Sequence, residues 1–237
     1  MRLKRVLLSV HKWVGLVVGI QVGLWMLSGL VMALLPIEEV RGEDRIAAPT
    51  PVLLSGLTGV LPVAEIVAGK DAVTATLTTV AGEPVYELKG SEGGSVLVDA
   101  RSGAVLSPIG EDLARRVAVA DFAGAGKPIS AVLVTEEGGD YRGRLPAWRV
   151  SFDDDDSTRL YVAANDGRVS ARRNGTWRLY DFFWMLHIMD YSTRENFNSP
   201  WMVAFAAGGL AVALSGLPLL WFALKPLFLG RRRRLVR

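Results

Sequence analysis

Cysteine is absent from all 237 residues, which excludes disulfides, thiolate metal sites and covalent haem attachment through thioethers. Histidine occurs only at His11 and His187, so nothing between them can complete a Ser-His-Asp triad with a central serine such as Ser107 or Ser130. Acidic residues are missing from both ends. All 24 lie between Glu38 and Glu195, whereas segments 1–35 and 200–237 carry ten of the 27 Lys/Arg residues.

The acid-free ends hold long apolar runs. Trp13 to Ile37 is 25 residues without a charge and Trp201 to Leu224 is 24, each above the roughly 20 residues that cross ~30 Å of hydrocarbon. Two transmembrane helices are therefore expected. Arg2, Lys4, Arg5 and Lys12 precede the first run, and Lys225, Arg231, Arg232, Arg233, Arg234 and Arg237 follow the second. Positive flanks stay in the cytoplasm, which puts both termini inside and residues 36–199 outside. The first run is far longer than the apolar core of a signal peptide, and no small-x-small cleavage site follows it, so it reads as a retained anchor.

The translocated segment has 24 acidic residues against 17 basic ones, a net charge of −7. The overall +3 and the basic pI thus belong to the anchors. Nucleic acid is excluded as a partner on this ground, and the Arg231–Arg234 cluster is placed to meet anionic lipid.

Within the central segment the chain repeats itself. Pro84-Val85-Tyr86-Glu87-Leu88, followed by Ser95 to Val105, returns as Pro146-Ala147-Trp148-Arg149-Val150 followed by Arg159 to Val169, mostly 64 residues later. Each copy alternates apolar and polar residues, the pattern of half-buried strands, and each reaches a glycine, Gly103 or Gly167, where a hairpin needs positive φ. Helical spacing precedes each copy over Pro62 to Ala68 and Gly110 to Ala120. Each unit reads as a helix laid on a small antiparallel sheet.

Val98-Asp99-Ala100-Arg101-Ser102-Gly103-Ala104-Val105 resembles the V-D-x-x-[ST]-G-x-V ending of PepSY domains, with Ala163 standing in the second copy where the first has Asp99. His11-Lys12-Trp13-Val14-Gly15 is similar to the H-[KR]-W-x-G opening of PepSY-associated transmembrane proteins. Trp184-Met185-Leu186-His187-Ile188-Met189-Asp190 is similar to their W-x-L-H-x-x-D segment. The resemblance covers nearly the whole chain. It implies a bacterial inner-membrane protein with a periplasmic domain, from a family that includes proteins implicated in haem-dependent reduction of iron-siderophores.

The two histidines fall inside these segments. His11, Gly15, Gly19 and Gly23 recur every fourth residue, which suggests a small-residue groove beneath an imidazole. Such a groove accepts another helix or the flat face of a porphyrin. Gly208 and Gly216 offer a similar surface on the second span. Tyr180, Phe183, Trp184, His187 and Tyr191 form an aromatic stripe at helical spacing, expected to lie along the outer interface over 177–191. His11 and His187 are candidate haem b ligands, but they belong to opposite ends of the spans, ~30 Å apart. One iron taking both would need a second chain or a fold-back of 177–191.

Asp153-Asp154-Asp155-Asp156 lacks the spaced ligands of a calcium loop and reads as a solvated hairpin tip. Gly124-Ala125-Gly126-Lys127 lacks phosphate-loop spacing and reads as a turn.

The expected architecture is an α+β membrane protein. A basic cytoplasmic N-terminus (1–12) leads into the first span (13–37), a linker (38–60) and two PepSY-like repeats (61–108 and 109–174). An interfacial helix (177–191), the second span (200–224) and a basic tail (225–237) follow. The expected function is non-enzymatic: an accessory or assembly subunit that binds a partner through its external domain and packs against a membrane-protein partner or another copy in the lipid bilayer. The alternative is a haem b electron-transfer protein supporting periplasmic reduction.

Overall fold

The computed structural model describes residues 2–48, 51–53 and 56–233. Arg234 and Arg237 of the basic tail and positions 49, 50, 54 and 55 of the expected linker lie outside the described residues. In chain order the elements are α1 (Arg2–Leu34), α2 (Ile37–Arg41), a 3-10 turn (Glu43–Arg45), α3 (Val63–Val67), β1 (Thr74–Val80), β2 (Glu83–Lys89) and β3 (Ser95–Asp99). They continue with α4 (Glu111–Asp121), β4 (Pro128–Val134), β5 (Ala147–Phe152), β6 (Arg159–Ala163), β7 (Val169–Arg173), α5 (Gly175–Ile188) and α6 (Pro200–Arg233). The chain divides into two compact units, Met1–Leu34 with Tyr180–Arg237, and Leu35–Leu179.

The first unit is a helical hairpin. Arg5–Leu34 and Pro200–Lys225 are each long and apolar enough to cross a membrane, with a mean hydropathy of 2.0. α1 stops at Leu34, and Pro36, with an extended backbone, stands at the start of α2. The helices run antiparallel: His11 meets Gly216 at one level, while Val18 meets Gly208 further along. The α1 face of the seam runs through His11, Val14, Val18, Gln21, Trp25 and Ser28, at steps of three and four, and Val18, Gln21 and Ser28 are buried. That is the spacing that lets one helix insert its side chains between those of another. Leu16, Ile20, Leu27 and Leu30 of α1 and Leu210, Leu214 and Leu217 of α6 remain exposed, as a hydrocarbon-facing surface requires.

The second unit holds two antiparallel sheets, β1-β2-β3 and β4-β5-β6-β7. Ile66 of α3 packs with Tyr86, Leu88 and Val98 on one face of the first sheet. On its other face Val85 and Leu97 join Ala114, Val117 and Ala118 of α4 and Val150, Leu160 and Val162 of the second sheet. α4 therefore lies in the shared core. Its inner positions are small or β-branched, and Glu111 and Asp112 sit at its positive N-terminal end.

The half-buried reading fails for β2, where Pro84 to Leu88 are all buried. α3 covers one face while α4 and the second sheet cover the other. The polar member of the alternation, Glu87, survives burial because Ser95 and Arg168 hydrogen-bond its carboxylate at 2.8 and 2.7 Å.

The two helix-plus-sheet units match in their hydrogen bonds, not only in their strands. Asp99 N–H donates to Ala104 and Gly103 N–H to Asp99, and 64 residues later Ala163 N–H donates to Arg168 and Gly167 N–H to Ala163. Gly103 and Gly167 have φ of 73° and 66°, the left-handed region that a side chain resists. Leu61 N–H, just before α3, donates to Ala100 O, and Ile109 N–H, just before α4, donates to Ala164 O. Tyr86 Oη donates to Leu61 O at 3.0 Å, and Trp148 Nε1 to Ile109 O at 2.8 Å. Each helix is hung from the end of its own sheet by the same pair of bonds.

Three expected segments differ. The linker at 38–60 opens as structure, with Val40 of α2 buried and Asn174 Nδ2 donating to Glu39 O at 2.7 Å. The second sheet carries an additional strand, β7, which α2 packs against. The aspartate run is a hairpin tip in which Asp153 and Asp155 are exposed and Asp154 and Asp156 are half-buried. Arg45 reaches Asp154 at 3.2 Å and also pairs with Asp156, Thr158 donates to Asp154, and Lys127 N–H donates to Asp153. The carboxylates thus fasten the Gly124–Lys127 turn and the 3-10 turn to the β5–β6 tip.

Leu97→Ala removes a side chain that is 1% exposed between the sheets and is expected to cost about 2–5 kcal/mol, measured by denaturant unfolding of the full chain in mild detergent. Tyr86→Phe keeps the packing and loses one hydrogen bond, for an expected cost of about 1 kcal/mol in the same measurement.

Candidate functional site

Both candidate ligand histidines belong to the hairpin unit, and each lies against a serine-glycine pair on another helix. His11 of α1 sets Nδ1 3.1 Å from Ser215 Oγ and 3.2 Å from Val212 O of α6. Its Cε1 is so close to Gly216 that a Cβ there would come within 3.1 Å. His187, in the last turn of α5, sets Nδ1 3.0 Å from Ser28 Oγ of α1, and a Cβ on Gly29 would lie 3.6 Å from its Cε1. Trp25 Nε1 donates to His187 O at 2.8 Å and holds the end of α5 to the same stretch of α1.

Each serine hydroxyl also reaches a carbonyl of its own helix, Ser215 Oγ lying 3.0 Å from Val212 O and Ser28 Oγ 2.8 Å from Leu24 O. When the hydroxyl hydrogen is engaged there, a hydrogen on Nδ1 completes the bond to the serine oxygen. Among the described residues Nε2 has no hydrogen-bond partner in either ring. A polar side chain between apolar helices needs such a bond, because hydrocarbon offers none in exchange.

The two seats share a tetrapeptide. Leu27-Ser28-Gly29-Leu30 and Leu214-Ser215-Gly216-Leu217 each supply a hydroxyl acceptor and, beside it, a position without Cβ. The repeat is visible in the sequence but carries no meaning until an imidazole is placed on it. Seventeen residues of α1 separate His11 from Ser28, about 26 Å at the helical rise of ~1.5 Å per residue. The histidines therefore cannot ligate one iron within a chain.

The glycines divide. Gly15 faces Val212 at van der Waals distance, and Gly208 lies so close to Val18 that a Cβ would meet its Cγ2 at 2.8 Å. With Gly216, these three form the seam. Gly19 and Gly23 have nothing within 4 Å of a Cβ and are exposed, so the expected stripe does not pack within the chain. Steps of four residues precess about 40° around the helix each time, which carries Gly19 and Gly23 off the seam that begins at His11. An apolar groove of about 470 Å³ runs along one flank of the hairpin, walled by Trp13, Val17, Trp201 and Phe205.

The segment after α5 shows what the rest of the W-M-L-H-I-M-D motif does. α5 ends at Ile188, so Tyr191 is off the expected aromatic stripe; Met189 takes φ 52° and turns the chain out of the helix. Asp190 then accepts from the backbone N–H groups of Ser192, Thr193, Glu195 and Asn196 and from the hydroxyls of Ser192 and Thr193. These donors, the Thr193 hydroxyl foremost, hold its carboxyl well below the usual carboxylate range. Trp184 Nε1 donates to Arg194 O at 3.1 Å, and Arg194 pairs with the buried carboxylate of Asp181. Trp184, His187 and Asp190 thus fix the 189–199 loop and the end of α5 on one side and α1 on the other.

In the second unit a cleft of about 820 Å³ opens between the β1–β2 turn, the end of α4 and the 166–169 turn. Ile46, Val80, Leu97 and Val117 give it apolar walls, and Glu87 and Arg168 supply an ion pair. Burial pushes the Glu87 carboxyl up, but Ser95 and Arg168 outweigh it and hold it below the ordinary range. No group of three or more metal-ligating side chains occurs among the described residues.

The absence of cysteine makes a direct test of the seam. A Gly15→Cys, Val212→Cys double variant is expected to form a disulfide on mild oxidation in membranes, and a Gly19→Cys, Val212→Cys pair is not, read by a mobility shift on non-reducing gels. For the Asp190 loop the depressed carboxyl contributes stability above its unfolded pKa of about 3.9, lost only as pH falls below that value. Hydrogen exchange at 191–196 is expected to stay slow from neutral pH down to about pH 4, and Asp190→Asn is expected to accelerate it at every pH.

Compared with known proteins, the chain matches no family model, no curated protein and no solved structure.

Proposed function

We propose that this chain is an accessory or assembly protein of the bacterial inner membrane, similar to PepSY-associated transmembrane proteins. Residues 35–179 form a periplasmic domain that binds a partner, and the hairpin packs against other membrane helices. The observation that carries the reading is the use of both histidines: each hydrogen-bonds a serine on a neighbouring helix through Nδ1 and presses its ring edge onto a glycine. These are helix-joining contacts, and they account for both imidazoles without a cofactor.

Other features agree with it. The acid-free, basic ends favour a cytoplasmic location for both termini and put the acidic unit outside. Gly19 and Gly23 leave a Cβ-free strip on the face of α1 turned away from α6, where a partner helix could approach closely. The inter-sheet cleft offers the outer unit a concave, mostly apolar surface with one ion pair. The matched Asp99 and Ala163 turns fit two PepSY-like repeats.

A second reading rests on the unpartnered Nε2 of each imidazole among the described residues. Anchoring Nδ1–H and freeing Nε2 is how proteins prepare a histidine for a metal. The hairpin does not, however, offer two axial positions to one haem b, because about 26 Å separates the seats. Two histidine ligands to one haem b would have to come from two chains.

Purification in mild detergent is expected to give a stable complex with a membrane partner and no Soret band with or without dithionite. A reducible b-type spectrum lost in His11→Ala or His187→Ala would overturn the non-haem reading.

A further inference from the structure

The outer face of the second sheet concentrates arginine in a unit that is otherwise acidic. In the strand register Arg159 stands directly opposite Arg173. Arg149 stands opposite Tyr161, two residues along the same face from Arg159. Like charges directly opposed across a ladder destabilise it. Arg178 joins from α5, hydrogen-bonding the carbonyls of Asp156 and Ser157.

Compensation is incomplete. Asp140 accepts from Arg159 at 2.8 Å and from Arg178 at 3.3 Å, and its backbone carbonyl accepts from Arg173 at 2.7 Å. Among the described residues it is the one carboxylate that these four side chains hydrogen-bond. Four guanidiniums against one carboxylate leave +3 on a half-buried face. Arg173 is covered by the Trp177 ring 4.2 Å away, and burial pushes its guanidinium down from the ordinary range. Arg149 Nε is buried with no hydrogen-bond partner, while the rest of the guanidinium lies against the Tyr161 hydroxyl. A buried charged donor left unpaired costs more than a neutral one, and native structures seldom keep it without a ligand.

We infer that the Arg149–Arg159–Arg173 face, with Arg178 at its rim, binds a phosphate-class oxyanion. A multiply charged, multi-oxygen anion matches what is missing: it neutralises most of the excess charge and accepts from several planar guanidiniums at once, which one further carboxylate would not do. Asp140 then acts as the internal counter-ion that keeps the face folded without ligand. The phosphate could be free in solution or be a lipid headgroup, and the chemistry is the same.

The test uses the full chain in an uncharged detergent, titrated with inorganic phosphate at constant ionic strength against chloride while Tm is followed. A saturable rise in Tm with phosphate is expected. Arg149→Met replaces the orphaned donor with an apolar side chain of similar length, so the variant is expected to fold, and its half-saturating phosphate to rise about tenfold or more. Arg101→Met removes an exposed charge from the first sheet and is expected to respond as the parent does. No phosphate-specific rise, an undiminished response in Arg149→Met, or an equal loss in Arg101→Met overturns the assignment. Nanodiscs separate the sources. A phosphate response seen in zwitterionic lipid but abolished by phosphatidylglycerol identifies the headgroup, and one that persists in both identifies a free anion.

Discussion

A polar side chain set between apolar helices must find its hydrogen bond on a neighbouring helix, and the hairpin unit is arranged around two imidazoles that do so. His11 and His187 each set Nδ1 against a serine and lie beside a glycine that admits the ring. The first seat sets α1 against α6 near one end of the hairpin, and the second ties the end of α5 to α1 near the other. Between them the contact is carried by shape, with Val18 against Gly208 at a distance no side chain could occupy. A donor at each end and close packing in the middle fix register as well as proximity.

In the second unit the organising element is the bond pair that hangs a helix from its own sheet. The residue two positions before each helix gives its N–H to the alanine that follows the third strand, Ala100 or Ala164, and takes a hydrogen bond from an aromatic side chain, Tyr86 or Trp148. Because the two copies use different aromatics for the same bond, the duplication is clearer in backbone geometry than in residue identity. The second copy then lays α4 on the exposed face of the first sheet. This is why β2 is buried on both sides and why Glu87 needs Arg168, a residue of the other copy.

Some of this could be read from the chain alone. The apolar runs, the basic flanks, the strand pairs and the two turn glycines follow from composition and periodicity, because each depends on local or one-dimensional properties of the chain. The seam did not follow. A four-residue recurrence of glycine suggested one face, yet the contact follows steps of three and four, so Gly19 and Gly23 drift away while Val18, Gln21 and Ser28 turn inward. The L-S-G-L tetrapeptides were present in both spans but uninformative singly, since serine and glycine are common in apolar helices. The aspartate run suggested a solvated tip, which Asp153 and Asp155 keep, but Arg45, more than a hundred residues earlier, pairs with Asp154 and Asp156.

What the sequence by itself determined is the plan: two apolar helices enclosing an acidic, cysteine-free, internally repeated segment, with one histidine near each end of the chain. The tertiary structure decided what those residues do. It alone placed each imidazole on a serine, separated the two along α1, and assembled four arginines around one aspartate. The reason is physical: charge and hydropathy act through the composition of a segment, whereas a hydrogen bond or a Cβ-free contact depends on ångström-scale approach between residues far apart in the chain.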